Sequence, residues 1–225
     1  MKLIILILAN DTGIYLECQK LWQIYMNTHP NIKSYFIKYK SDLLEDIVLE
    51  NDNIFIKGDE SFIPGCLDKT IKAIEFCLNT QEFNFIFRTN MSSVIDLNKL
   101  NKLLENYEMH YSGFIGYHSH FKFASGAGML FSKQLCSILT SYKDKLNYDL
   151  LDDLSIGTFC QGIKNMKISP LTRFDAYNYE NNLSVISKEL IKDYYHFRCK
   201  SAKDDNNTLL MMKKIIDLIY FMPTF

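Results

Sequence analysis

The chain has no basic block, and its lysines and arginines nearly balance its acids, for a formal net charge of −1 over 225 residues. Proteins that bind nucleic acid by neutralising phosphates carry a basic stripe, so no nucleic-acid partner is expected. Paired cysteines are missing as well. Cys18, Cys66, Cys77, Cys136, Cys160 and Cys199 are scattered, with no Cys-x-x-Cys. Structural zinc is therefore not expected, and free buried thiols in a reducing compartment are. Long apolar runs are also lacking. The opening run LIILILA, residues 3–9, ends at Asn10 and Asp11, too short for a signal peptide or a bilayer span. It predicts a buried first strand in a cytoplasmic protein. Neither an internal repeat nor a low-complexity linker divides the chain, so we expect one domain over residues 1–225.

Hydrophobic residues make up 48% and charged residues 23%, enough apolar material for a packed core and too much for large-scale disorder. Strand-like and helix-like segments alternate. KLIILILA, IKSYFIKY, DNIFIKG and FNFIFRT read as strands. GIYLECQKLWQIYMNT reads as a helix with Leu16, Leu21, Ile24 and Tyr25 on one face, and LDKTIKAIEFCLN as another with Ile71, Ile74 and Leu78 in register. Asp96 stands at the N-cap of a helix over DLNKLNKLLENY. This order predicts an α/β fold with a mostly parallel central sheet flanked by helices. The second half is less regular, with a strand pair around HYSGFIGY and GAGMLFS, a helix from Lys133 to Tyr142 and another from Asp152. The apolar tail TLLMMKKIIDLIYFM is too short to span a bilayer. Packing on its own domain is expected, with oligomer contact or membrane-surface docking as alternatives.

Four stretches could carry chemistry. In FRTNMSS, Arg88 ends a strand, with Asn90 and two serines beyond it; strand tips are where α/β folds bind ligands. Arginine there could hold a phosphate, although a salt bridge and a serine cap would use the same residues. FASGAGMLFS offers Ser125, Gly126 and Gly128, a turn that could pass close to a ligand or close a tight hairpin. YDLLDDLSIGTFC places Asp152 and Asp153 at a helix start. One aspartate satisfies the dipole; the second is placed to act as a general base. In YYHFRCK, His196, Arg198 and Lys200 alternate, and an extended chain points them one way, as an anion site for a diphosphate requires. A softer signal is IKGDESFIPGCLDKT, whose Asp59, Glu60 and Lys69 could bind substrate or solvate a loop. His118 and His120 have metal-like spacing but no acidic or thiol neighbour, and read as surface residues.

Taken in order, these stretches resemble the GT-A-fold glycosyltransferases, in particular the fringe-like and β-1,3-galactosyltransferase-like enzymes and small viral or bacterial relatives. GDESFIPGCLDKT followed by FIFRTNMSSV is similar to the family's GD…D(S/T)Y…LTLKT followed by YVLKTDDDV. SGAGMLFS resembles SGGGYVLS, and DDLSIG resembles DDCTIG. The resemblance spans residues 1–200. It implies transfer of a sugar from a nucleotide-sugar donor, a UDP-sugar first of all, to a glycan or glycoconjugate acceptor with inversion. Asp153, or its neighbour Asp152, would be the base. Arg88, Asn90 and His196 would surround the diphosphate, and the Ser125–Gly128 turn would approach donor or acceptor. Asn10 and Asp11 would meet the nucleoside, in a nucleotide-binding half over 1–110. Residues 111–205 would form the donor and acceptor half, and 206–225 a C-terminal apolar helix, which could also make an oligomer contact.

The family's Asp-x-Asp is replaced here by Thr89-Asn90-Met91-Ser92. A Mn²⁺ or Mg²⁺ cofactor would then rest on Asn90 and His196 with the phosphates, or the cations would do part of its work, because neutral amide oxygen is a poor substitute for carboxylate. A degenerate sugar-nucleotide-binding module is the alternative. A nucleotidyltransferase would want a glycine-rich basic loop after the first strand, and ANDTGIYLE has none. A flavodoxin-like or structural domain would leave the aspartate pair and the alternating cations without a role.

Overall fold

In the computed structural model, which describes residues 1–118 and 121–221, the first strand forms as its apolar run predicts. Strand β1 (Leu3–Leu8) lies between β2 (Ile32–Tyr39) and β5 (Phe85–Asn90), parallel to both. Helix α1 (Tyr15–Tyr25) connects β1 to β2. A hairpin of β3 (Ile47–Glu50) and β4 (Asn53–Ile56) follows, then α2 (Gly65–Thr80) leads into β5. Beyond β5 come β6 (Ser93–Ile95), α3 (Leu97–Leu104), the long pair β7 (Tyr111–His118) and β8 (Phe121–Ser132), α4 (Lys133–Ser141) and α5 (Asp152–Gln161). The remainder holds β9 (Ile168–Pro170), β10 (Phe174–Asp175), α6 (Lys188–Ile191), β11 (His196–Arg198) and α7 (Asp205–Ile216). The eight-stranded sheet runs β3-β4-β2-β1-β5-β8-β7-β9, and β10-β11-β6 form a small second sheet. Strands β4, β2, β1 and β5 are mutually parallel, while β8 returns antiparallel beside β5 and joins the two halves of the chain.

Both faces of the main sheet are covered, which is why β1 is apolar throughout. Leu3, Ile5 and Ile7 enter a core shared with α1, α3 and α7, whereas Ile4 and Leu6 enter a second core with α2, α4 and α5. The period-two alternation of a strand separates the two sets.

Three local expectations change. Helix α1 buries Cys18, Leu21, Trp22 and Tyr25, leaving Leu16 46% and Ile24 50% exposed. The predicted face was rotated because Trp22 anchors the helix: its indole N–H donates to the Met91 carbonyl at 3.0 Å inside the core. Strand β3, polar at its end and only half buried, left no clear signal. Strand β5 runs on past Arg88 to Asn90. Asp96 does cap α3, accepting from the Lys99 N–H at 3.0 Å. The tail packs on its own domain. Met211, Met212, Ile215, Ile216 and Leu218 are buried in the first core, and the Tyr220 hydroxyl donates to the Ile95 carbonyl at 2.6 Å. No helix among the described residues is long and apolar enough to cross a membrane. His118 is exposed at the end of β7, and His120 lies outside the described residues.

Candidate active site

A cleft of about 670 Å³ opens at the carboxyl ends of β1 and β5. Helix α1 leaves β1 on one face of the sheet, while α2 covers the other. Their divergence opens a crevice there. The floor is Ala9, Asn10, Arg88, Asn90 and Ser92. The start of α5 and the Ser125–Ala127 segment of β8 line the cleft, as do Glu60, Phe62 and Lys69 from α2 and the loop before it. Arg198 and Lys200 join the lining from the end of β11 and the residues after it.

Arg88 reaches the site because alternation along β5 sends Phe87 into the first core and both Ile86 and Arg88 to the face covered by α5. Its guanidinium, almost wholly buried, forms an ion pair with Asp152 at the first residue of α5 and also donates to the Gly126 carbonyl. Asp152 is buried too. Desolvation raises its carboxyl pKa, and Arg88 opposes that rise. The contact is electrostatic more than directional: Arg88 Nε and Asp152 Oδ2 have no well-aligned hydrogen-bond partner among the described residues.

Asp153, one residue on, is only half buried and borders the cleft. Its Oδ2 accepts from the Gly126 N–H at 2.8 Å and its Oδ1 from the Leu154 N–H at 2.9 Å. Gly126 therefore ties both groups together, its carbonyl on Arg88 and its amide on Asp153. A Cβ at Gly126 would sit 3.1 Å from Asp153 Oδ2 and 3.3 Å from Arg88 Nη1, so glycine fits this close approach.

The basic residues differ in their commitments. Lys69 is buried and paired with Glu60 at 2.7 Å, and it also donates to the Ala9 carbonyl. Lys200 pairs with the exposed Asp205 at 2.9 Å. Arg198 lies 5.4 Å over the Tyr177 ring, and its buried Nε has no hydrogen-bond partner among the described residues.

Several predicted residues fall elsewhere. His196 does not border the cleft. It is buried beneath β8, edge-on to Phe87 at 5.6 Å, with its Nε2 3.3 Å from Ser93 Oγ. Burial, with Arg173 and Arg198 nearby, pushes its pKa down to about 3, so the ring is neutral. The absence of a Cβ at Gly128 makes room for that ring, since a Cβ would lie 2.5 Å from His196 Cε1. Gly128 thus serves packing and not the cleft lining. Asp11 turns to Lys38 at 2.5 Å, and Asp59 gives way to its neighbour Glu60 as the lining acid.

The residues do not fit a Mn²⁺ or Mg²⁺ site. Among the described residues no group of three His, Cys, Asp or Glu side chains is placed to hold a metal ion. The Asn90 side-chain carbonyl already accepts from Ser93 Oγ at 3.0 Å and Ser92 Oγ at 3.3 Å. His196 is removed by its burial.

Sequence reasoning missed Arg173. It is clamped by Asp175 at 2.6 Å, stacks 4.0 Å over the Phe114 ring, and donates from Nη1 to Ser125 Oγ at 3.0 Å. Its stretch PLTRFDAY has no periodicity that would have flagged it.

No family model matches the sequence, and no curated protein matches it at a significant level. Solved structures do match in shape. A glycosyltransferase involved in glycosylation of the major capsid of PBCV-1 aligns over 95% of this chain and 99% of its own, with a TM-score of 0.58 and 11% identity. The galactosyltransferase LgtC, solved with donor and acceptor sugar analogs, aligns over 99% and 98%, with a TM-score of 0.50 and 13% identity. The inositol-1-phosphate CTP transferase of T. maritima aligns over 96% and 97%, with a TM-score of 0.52 and 10% identity. Identities this low speak to architecture and not to the fringe-like subgroup. The chain has the GT-A-type α/β fold.

Proposed function

We propose that the protein is a glycosyltransferase that moves a sugar from a nucleoside diphosphate donor, a UDP-sugar first of all, to a hydroxyl of a glycan or glycoconjugate. The observation that carries this reading is Asp153, a half-buried carboxylate on the same cleft as Arg198, whose guanidinium lacks a carboxylate partner among the described residues. The fold shared with two glycosyltransferases supports it. The fold shared with a CTP transferase does not favour nucleotidyl transfer, because the loop from Asn10 to Ile14 has one glycine and no basic residue.

Asp153 takes the acceptor proton. An ionised carboxylate offers about four acceptor positions, so two backbone N–H groups leave room for a substrate hydroxyl. As the proton moves to Asp153, the acceptor oxygen bonds to the anomeric carbon from the face opposite the leaving group. The bond from that carbon to the diphosphate oxygen breaks, and its electron pair stays on the diphosphate. One displacement inverts the configuration. Asp152 is not the base in this scheme, because its charge is held by Arg88. Instead the pair fixes Gly126 and, through it, Asp153. Asn10 at the tip of β1 meets the nucleoside.

The reading is tested by melting the protein with a panel of UDP-, GDP- and dTDP-sugars, then following transfer by NMR. A donor at a hundred times its Kd adds about 2.7 kcal/mol, which for a chain of this length raises Tm by roughly 5–10 °C. The expected product has inverted anomeric configuration. No shift with any sugar nucleotide and no transfer would overturn the assignment; transfer with retention would remove Asp153 from the role of base.

A further inference from the structure

The acids around the cleft are spoken for, as are the cations Arg88 and Lys69, whereas Arg198 has no acidic partner among the described residues. Glu60 is bound to Lys69, Asp152 to Arg88, and Asp153 to two backbone N–H groups. A hard divalent cation needs anionic oxygens that are free to turn toward it. Taking Asp152 would strip a buried arginine of its counter-charge, and taking Glu60 would do the same to Lys69, itself 4% exposed. Arg198 also lines the cleft, and it makes no ion pair with an acid among the described residues. Lys200, also in the lining, lies 5.9 Å over the Tyr15 ring and pairs with the exposed Asp205, a pair of the kind that contributes little.

We propose that this cleft binds a diphosphate directly through Arg198 and Lys200, with no divalent cation bridging protein and phosphate. The proposal rests on the sugar-nucleotide reading and adds what neutralises the leaving group. Arg198 is suited to it: a guanidinium offers a planar fork to two phosphate oxygens, and here it lies 5.4 Å from the centre of the Tyr177 ring. Lys200 adds a mobile point charge, released from Asp205 when phosphate arrives. His196 contributes no charge, since it stays neutral in the interior.

Titration calorimetry with inorganic pyrophosphate and with UDP, each in EDTA and again with excess Mg²⁺ or Mn²⁺, is the test. We expect binding in EDTA, with a Kd within about tenfold of that in metal. Lys200→Met and Arg198→Lys should each weaken it by roughly tenfold or more, the first by removing a charge and the second by removing the fork. Arg198→Met should do so further, with its melting curve confirming that it folds. Binding that requires metal would overturn the proposal and leave the sugar-nucleotide reading intact. EDTA-resistant binding indifferent to both residues would also overturn it, placing the phosphates elsewhere. Absence of binding of either ligand under every condition would overturn both.

Discussion

The two sides of the cleft are built on opposite terms. On the acidic side, Arg88, Asp152, Gly126 and Asp153 form one chain of contacts closed within the protein. On the basic side, Arg198 has no acidic partner among the described residues, and Lys200 has one that is solvated. A group whose partners are all internal is set in position before substrate arrives, as a base must be. Each arginine has a buried Nε without a hydrogen-bond partner among the described residues, so what separates them is the ion pair that Arg88 has with Asp152 and Arg198 lacks. The same kind of side chain, arginine, stands on each side: Arg88 is consumed in building the wall, whereas Arg198 lines the cleft without an acidic partner among the described residues.

The comparison breaks most readily at Asp153. If the acidic side exists to hold a base, Asp153→Asn should lower kcat by about 10²–10⁴-fold. Donor affinity, measured separately by calorimetry, should stay unchanged. An equal loss of affinity would make Asp153 a binding group, and unchanged turnover would make the acidic side scaffolding only.

Arg88 sharpens the contrast through stability. Arg88→Met leaves Asp152 buried without a counter-charge and should cost about 3–5 kcal/mol in urea unfolding. The double variant Arg88→Met/Asp152→Leu should recover most of that, because two apolar groups replace a desolvated pair. Lys200→Met, on the other side, should cost less than about 1 kcal/mol, since its pair is solvated. Similar losses at both positions would erase the distinction drawn between the walls.

His196 separates interior from cleft through pH. The fold favours its neutral form, lowering its pKa from 6.5 to about 3, so the unfolded chain takes up the proton first. Its contribution to stability is therefore whole above pH 6.5 and lost as pH falls toward about 3. The slope is about 1.4 kcal/mol per pH unit. Between pH 6.5 and 5 the native chain should lose about 2 kcal/mol more than His196→Gln in paired denaturation curves. Equal losses would mean that the ring meets solvent and belongs to the cleft after all.

How far these roles could be read from the sequence depends on the range of the interaction. Strands β1, β2 and β5 and helices α2 and α3 are long apolar or periodic runs, and packing against both sheet faces leaves that imprint locally. Strands β6, β10 and β11 are two or three residues long, too short for any period to register. For the site, segment order marked Arg88, Asp153, Ser125, Gly126, Arg198 and Lys200, all of which border the cleft. The alternation of His196 with Arg198 misled for a physical reason. Period two says that side chains share a face, not how deep each lies, and Gly128 opens a hole that swallows the histidine. Arg173 was invisible because its role comes from Phe114, Ser125 and Asp175, brought together only by folding.

That last cluster supplies the smallest effect. Ser125 Oγ accepts from Arg173 Nη1, which frees its own proton to be donated into the cleft. Ser125→Ala removes that donor without disturbing the clamp between Arg173 and Asp175. A single neutral hydrogen bond is worth about 0.5–1.5 kcal/mol, so kcat/KM should fall roughly 2- to 12-fold. A rise in KM with kcat unchanged would assign the serine to ground-state binding of donor or acceptor. A fall confined to kcat would assign it to the transition state and put the hydroxyl beside the reacting carbon. Arg173→Lys should reproduce the Ser125→Ala result if the arginine acts through the serine, since a single ammonium cannot both pair with Asp175 as the fork does and supply the Nη1 donor. A larger loss in Arg173→Lys than in Ser125→Ala would mean that the arginine contributes to the wall in its own right, through Phe114, and that the acidic side of the cleft extends further along β7 than its carboxylates do.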